Sequence, residues 1–190
     1  MNYLAHAWLS GADPAWIVGG FLGDHVRGEA YRDFPTAVAR SILLHRRIDG
    51  FVDRHPAFVA ARAEFSPPHR RFAGILLDLA FDHLLARRWR NYSQQPLDTF
   101  SARCHWALDA YWSLLPESLR RFTRYARHQG LPAEYRSPAV MQRALAGISS
   151  RLSRANPLAE SWPVVVDLLP EISPRFEELM VDLIEFAAEQ

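Results

Sequence analysis

The sequence contains no lysine, so all 22 of its basic residues are arginine. This absence excludes Schiff-base catalysis and a lysine-bearing phosphate loop. The single cysteine, Cys104, excludes an internal disulfide and a multi-cysteine metal site, and a lone cysteine in a helical segment is usually a small core residue. No apolar run approaches the roughly 18 residues that span a bilayer, and the N-terminus lacks the pattern of a signal peptide. We therefore expect a cytoplasmic protein.

The composition is that of one globular domain, which we place at residues 1–190, with 49% hydrophobic and 23% charged residues and a net charge of +1. That near-neutral total hides an asymmetry. Residues 84–154 carry 12 arginines against 4 acidic residues, whereas residues 155–190 carry 1 arginine against 8 acidic residues. The acidic tail either pairs with the basic middle or leaves it as a docking surface for an acidic macromolecule.

Apolar residues recur at spacings of three and four, which predicts an all-α fold, a single-domain bundle of roughly 8–10 helices. Polar residues followed by proline, as at Asp13-Pro14 and Ser173-Pro174, are good helix starts, and Gly130 is a natural helix stop. The three residues Val164-Val165-Val166 are too few to found a sheet. The predicted helices span 1–10, 14–23, 36–54, 56–65, 68–90, 97–113, 116–129, 138–153, 157–169 and 174–188.

The helix GILLDLAFDHLLARRW, from Gly74, places two aspartates in an apolar segment. Asp78 and Asp82 lie one turn apart on a stripe that also contains Ile75 and Leu85, which predicts that both carboxylates face inward. A buried ionised carboxylate must be protonated, paired with a cation or bound to a metal ion. Two carboxylates at this spacing repel each other, which favours a shared cation.

Three further segments carry polar side chains on faces predicted to be apolar. They supply Asn2 with His6, Asp24 with Arg27, and His45 with Asp49. Histidine and carboxylates without a thiol set suit a hard or borderline divalent ion, Mn²⁺ or Mg²⁺ ahead of Zn²⁺. The alternative is a buried salt-bridge network in which Arg46, Arg47 and Arg71 neutralise Asp49, Asp78 and Asp82.

A divalent ion in such a site would activate water and polarise a phosphoryl oxygen. Arg27, Arg46 and Arg47 could bind phosphate oxygens through bidentate hydrogen bonds. The reaction class that this favours is phosphoester or phosphodiester hydrolysis.

The segments MNYLAHAWL, GGFLGDHVRG, LLHRRIDGFVDRHP and RRFAGILLDLAFDHLLARRW, in this order, resemble the acyl carrier protein phosphodiesterases. The resemblance covers the whole first half of the chain and extends more loosely to the C-terminus. It implies a divergent HD-phosphohydrolase-like fold and a divalent ion, with Mn²⁺ preferred. It also implies removal of the phosphopantetheine arm from holo acyl carrier protein, giving apo carrier and 4′-phosphopantetheine, by attack of metal-activated water.

The resemblance implies a set of site residues. The metal ligands would be Asp24, His45, Asp78 and Asp82, with His6 in addition. Taking the residue patterns above together with the resemblance, we expect the catalytic residues to come from Asp24, Asp49, His83, Arg27 and Arg46. The sequence departs from ordinary HD enzymes because it contains no His-Asp dipeptide, and Asp82-His83 presents the pair reversed. His83 points about 100° away from Asp82 on an ideal helix, so it is a ligand, an acid for the leaving serine oxygen, or a core histidine.

The implied partner is small and acidic, so the arginine-rich residues 84–154 would serve as its docking surface. Arg87, Arg88 and Arg90 follow Asp82, so a carrier docked on them could direct its arm to the metal. Two alternatives remain: a helical phosphohydrolase for nucleotides or other small phosphoesters, and a non-catalytic helical binding module with a buried Asp/Arg network. We expect no nucleic-acid partner, because no recognisable nucleic-acid motif occurs.

Overall fold

The computed structural model describes residues 2–190, and within this range every regular element is helical. The prediction of an all-α fold is confirmed. The ten α-helices are α1 (Tyr3–Leu9), α2 (Pro14–Leu22), α3 (Thr36–Arg54), α4 (Pro56–Ala63), α5 (Ala73–Arg87), α6 (Leu97–Ala110), α7 (Glu117–Gln129), α8 (Pro138–Ser149), α9 (Trp162–Asp167) and α10 (Leu169–Ala188). Short 3₁₀ helices occupy Ala30–Asp33, His69–Phe72, Trp89–Asn91, Trp112–Leu114, Ala133–Arg136 and Leu158–Glu160.

Two helix ends lie where their capping residues predict them. The Asp13 side chain accepts a hydrogen bond from the Ala15 N–H at 2.7 Å and starts α2, with Pro14 as its first residue. Gly130 ends α7 in the left-handed conformation, at φ 70°, which lets the Leu131 N–H reach the Ala126 carbonyl. The predicted first helix included residue 1, which lies outside the described residues.

The predicted helix start at Ser173-Pro174 is wrong, because Pro174 lies inside α10. A proline there has no N–H to donate to the carbonyl four residues earlier, a loss that weakens a helix interior. The helix continues because its buried face runs past the proline, from Ile172 through Phe176 to Leu183. Burial of such side chains contributes about 1.5–3 kcal/mol each, which outweighs one missing hydrogen bond.

The buried core is one continuous cluster with α5 near its centre. Helix α5 packs against α1, α4, α8, α9 and α10, while α1 also packs on α2, and α2 lies along α3. The α2–α3 contact is close because Gly19 has no side chain: a Cβ there would overlap the Ser41 side chain. The start of α1, the residue pair after α2, the C-terminal half of α3 and the first half of α5 all contribute residues to one cleft. In residues 2–190, no helix is both long and apolar enough to cross a membrane.

Candidate metal centre

Helices α1 and α3 bring two histidines and an aspartate together. His6 Nε2 lies 3.0 Å from Asp49 Oδ1, and His45 Nε2 lies 3.2 Å from Asp49 Oδ2. Asp24, which lies just after α2, also approaches His45: its Oδ1 is 3.5 Å from His45 Nε2. One ligand atom each from His6, His45 and Asp49 lie within 4.8 Å of one another. The four residues come from three helical segments and form one cluster.

The spacing of these atoms fits a shared ion. Adjacent ligands of an octahedral ion with bonds of about 2.1 Å lie about 3.0 Å apart, close to the separations of the imidazole nitrogens from the Asp49 oxygens. Imidazole and carboxylate together are suitable ligands for Mn²⁺ and related divalent ions.

His45 is oriented by the end of α2. Its Nδ1–H donates to the Gly20 carbonyl at 2.8 Å, and Nε2, on the other side of the ring, lies near Asp24 and Asp49. A histidine that ligates a metal commonly donates its other ring N–H to a carbonyl or carboxylate in this way. Gly23 makes the arrangement possible, because a Cβ at that position would overlap the His45 ring. The glycine-rich end of α2 therefore both holds the ring and leaves space for it.

His6 is buried beside Asp49. The side chain is 1% exposed, and although Nε2 lies 3.0 Å from Asp49 Oδ1, neither ring nitrogen has full hydrogen-bond geometry with any residue of the described range 2–190. Buried polar atoms almost always have such a partner. Burial and the stacked ring of His45, 3.6 Å away between centroids, lower the pKa of His6 to about 4. The neutral ring therefore has a lone pair available for a metal ion.

The charge of the cluster also calls for a cation. Burial lowers the pKa of His45, but hydrogen bonds and charge from Asp24 and Asp49 outweigh it and raise the pKa to about 9. Burial opposes ionisation of Asp49, yet the two histidines hold the pKa of its carboxyl far below the usual range. The carboxylates thus require a positive charge beside them, which either a proton on His45 or a metal ion provides.

The cluster opens into a cleft of about 370 Å³. Asp24, Asp49 and Asp78 line it, and burial raises the pKa of the Asp78 carboxyl. The predicted site residues that the structure brings together are therefore His6, Asp24, His45, Asp49 and Asp78. Two buried imidazoles that can offer lone pairs and three carboxylates at one cleft fit a divalent ion.

Asp82 lies elsewhere, fully buried behind α1. Its carboxylate accepts hydrogen bonds from the backbone N–H groups of Asn2, Leu4 and Ala5 at 3.3, 2.8 and 3.2 Å. These are N–H groups of the first turn of α1, which have no partners within the helix. Burial raises the pKa of Asp82 to about 7, although the three N–H groups oppose the rise. The structure gives this carboxylate the position of a helix cap and does not bring it to the cluster.

His83 also lies away from the cleft. Its Nδ1–H donates to the Tyr135 carbonyl at 2.7 Å, and its ring packs edge-on against Trp162. Burial lowers the pKa of the imidazole. Of the three roles left open by the sequence, the core histidine is the one this geometry supports.

The arginines expected near the phosphate have other contacts. Arg46 donates to the carbonyls of Val26 and Gly28, both at 2.8 Å, and Arg47 donates to Gln190. Arg27 is exposed, and the lining of the cleft includes none of these arginines. Their roles as phosphate-binding residues stay predictions that this placement does not support.

The alternative salt-bridge network does not form at Asp49 or Asp82. Arg71 lies over the Phe72 ring, and among residues 2–190 neither Asp49 nor Asp82 forms an ion pair with an arginine. The side chains that contact Asp49 are the two histidines, an arrangement that is found in metal sites.

The predicted docking residues lie around a different hollow, beyond the end of α5. Arg87 and Arg90 are exposed, while Arg88 pairs with Glu177 of the acidic tail at 2.6 Å. The hollow, of about 680 Å³, has no lining residue in common with the metal cleft. Contact of Arg87, Arg88 and Arg90 with a carrier stays a prediction.

Two residues at the site were missed by the sequence interpretation. Asp53 lines the cleft, and its position four residues after Asp49 on α3 was the available signal. Gly23 had no comparable signal, because its role depends on the close approach of α2 and α3.

Comparison with known proteins identifies the class of this site. The sequence model of the family "Acyl carrier protein phosphodiesterase" matches residues 1–183. Proteins of that name from Enterobacter sp. (strain 638) and Escherichia coli O6:H1 are 36% identical over 166 residues, which is 85% of this chain and 84% of theirs. One from Serratia proteamaculans is 30% identical over 191 residues, covering 100% of this chain and 99% of its own.

The class is that of the phosphoric diester hydrolases, which confirms the predicted kind of enzyme. The chain belongs to the acyl carrier protein phosphodiesterase family, so the resemblance drawn from the sequence is confirmed. No solved structure matches the chain, and the likeness to the HD phosphohydrolase fold therefore stays a prediction.

Proposed function

We propose that this protein hydrolyses holo acyl carrier protein to apo carrier and 4′-phosphopantetheine, in the cytoplasm. The observation that carries the proposal is the cluster of His6, His45 and Asp49, with ligand atoms within 4.8 Å of one another, at a cleft lined by Asp24 and Asp78. Membership of a family whose members are named for this activity supports the same substrate.

The proposed cofactor is a divalent ion, with Mn²⁺ preferred and Mg²⁺ the alternative. When bound, it supplies a Lewis acid for a phosphoryl oxygen and lowers the pKa of a water molecule. His6, His45 and Asp49 would hold it, and Asp24 and Asp78, which line the same cleft, would complete the set. The Gly20 carbonyl keeps the His45 ring in the orientation and tautomer that ligation requires.

The shape and charge of the cleft suit a phosphodiester that is attached to a larger partner. It is open to solvent on one side and lined by carboxylates, so an anionic phosphodiester enters favourably only when a cation offsets those charges. Asp24 or Asp78, which both line the cleft, would accept a proton from an attacking water.

The test is incubation of the purified protein with holo carrier and Mn²⁺, with and without a chelator, followed by mass spectrometry of the carrier. We expect conversion to the apo mass only when the metal is present. A carrier that keeps its arm under these conditions would remove the proposal. A parallel incubation with nucleotides and simple phosphomonoesters separates this activity from that of a general phosphohydrolase.

A matched pair of variants connects the activity to the cluster. Asp49→Asn keeps the size of the side chain but removes the charge that both histidines face, and it should abolish conversion. Asp33→Asn, on the exposed 3₁₀ helix before α3, should convert the carrier at the wild-type rate.

A further inference from the structure

A second and larger cavity adjoins the metal cleft. Its volume is about 820 Å³, within the range of about 300–1,000 Å³ typical of small-molecule sites. It lies between α1, α7 and α8, and three of its lining residues, Asn2, Leu79 and Ile148, also line the metal cleft. The two spaces therefore adjoin each other at these three residues.

The cavity differs from the cleft in chemistry. Its floor is aromatic: the Tyr3 ring stacks on Phe122 with centroids 4.1 Å apart, and Tyr135 lies beside them. Three hydrogen-bonded polar side chains also line it. The Tyr3 hydroxyl lies 3.1 Å from His25 Nε2, and the Ser118 hydroxyl oxygen lies 2.9 Å from His25 Nδ1. Such a surface suits an elongated, uncharged group with amides, whereas the carboxylate-lined cleft suits a cation and its phosphate.

The rim of the cavity is basic. Arg121 on α7, Arg143 on α8 and Arg151 beyond α8 line it and are exposed. None of the three forms an ion pair with a carboxylate of residues 2–190, whereas Arg124 and Arg127 on the outer part of α7 do. Guanidinium groups that have no carboxylate partner, at the mouth of a cavity, can form ion pairs with an acidic protein.

Resting on the proposed function, we propose that the pantetheine portion of the carrier's arm lies in this second cavity, and that the acidic carrier docks on Arg121, Arg143 and Arg151. The phosphodiester, which is covalently joined to that portion, then lies in the adjoining metal cleft. Arg87, Arg88 and Arg90 line a separate hollow, so this docking surface lies elsewhere, although it belongs to the same basic stretch of residues 84–154.

Gly147 offers a direct test of the arm site. It lies within α8 and lines the cavity, and a Cβ added there meets no atom within 4 Å. Gly147→Trp should fill the cavity without disturbing the helix and lower kcat/KM for holo carrier by about 100-fold or more, as loss of substrate positioning does. Gly147→Ala is the matched control and should retain the wild-type rate. Equal melting temperatures of the two variants would show that both fold.

The docking surface is tested by charge reversal. Arg143→Glu combined with Arg151→Glu should raise KM for holo carrier about tenfold, leave kcat within a factor of about two and flatten the dependence of kcat/KM on salt. The matched control is Arg62→Glu with Arg70→Glu, two exposed arginines near α4 outside both cavities, and it should change neither constant.

The outcomes separate the two proposals. Wild-type protein that fails to release the arm would refute the proposed function and this inference with it. Wild-type protein that cleaves the carrier, with Gly147→Trp equally active, would refute the arm site alone. A rise in KM for Arg87→Glu with Arg90→Glu, but not for the Arg143 and Arg151 pair, would move the docking surface to the end of α5.

Discussion

Replacing Gly23 by alanine tests how the fold builds the metal centre. Gly23 has right-handed helical dihedral angles, φ −50° and ψ −43°, so alanine is allowed by the backbone and its effect comes from the added methyl group alone. That methyl group would overlap the His45 ring, which would have to turn away from the Gly20 carbonyl. The ring would then lose both its fixed tautomer and its direction toward Asp49.

The expected magnitude follows from the type of contact that is lost. Disruption of the partner that orients a metal-ligating histidine typically lowers metal affinity 10–100-fold, or about 1.4–2.7 kcal/mol of binding free energy. Overpacking of the α2–α3 contact should lower the free energy of unfolding by about 1–3 kcal/mol. Both effects arise although Gly23 itself offers no ligand.

The assay is calorimetric titration of purified protein with Mn²⁺, together with urea unfolding. Gly74→Ala is the control, because Gly74 is helical and a Cβ there meets no atom within 4 Å. It should bind Mn²⁺ like the wild type and unfold with a free energy higher by about 0.5–1 kcal/mol. Wild-type affinity in Gly23→Ala would refute the argument that the end of α2 positions His45.

Three further predictions separate structural from functional roles. Asp82→Ala should lower the free energy of unfolding by about 3 kcal/mol or more in urea, because three backbone N–H groups lose their acceptor; an unchanged stability with lost Mn²⁺ binding would make Asp82 a ligand instead. His83→Phe should keep carrier hydrolysis within a few fold in a rate assay, since a general acid would cost about 10²–10⁴-fold, and a loss of that size would contradict the core role. Mn²⁺ at 100 times its Kd should raise the free energy of unfolding by about 2.7 kcal/mol, or Tm by about 5–10 °C in calorimetry, and Asp49→Ala should show no such rise.

The helical fold could be predicted from the sequence because its signals are local. The cap at Asp13 and the stop at Gly130 act within a few residues, and both are found where expected. Pro174 was misread for the opposite reason: the burial of Ile172 and Phe176 keeps α10 intact, and burial depends on the rest of the fold.

The site could be predicted in part. His45 and Asp49 follow from helical spacing on a single helix, and the structure joins them to His6 and Asp24 from other segments. The same reasoning placed Asp82 beside Asp78, because a stripe on a helix does not tell which neighbour each residue faces. Asp82 faces the first turn of α1, a contact between residues 78 positions apart in the case of Leu4. No local pattern carries that information.

The most direct test of the central claim is diffraction from crystals grown with Mn²⁺, using the anomalous signal of the ion. The account predicts an anomalous peak about 2.1 Å from nitrogen atoms of His6 and His45 and from an oxygen of Asp49. A peak at Asp82, or no peak in the cleft at saturating Mn²⁺, would contradict it.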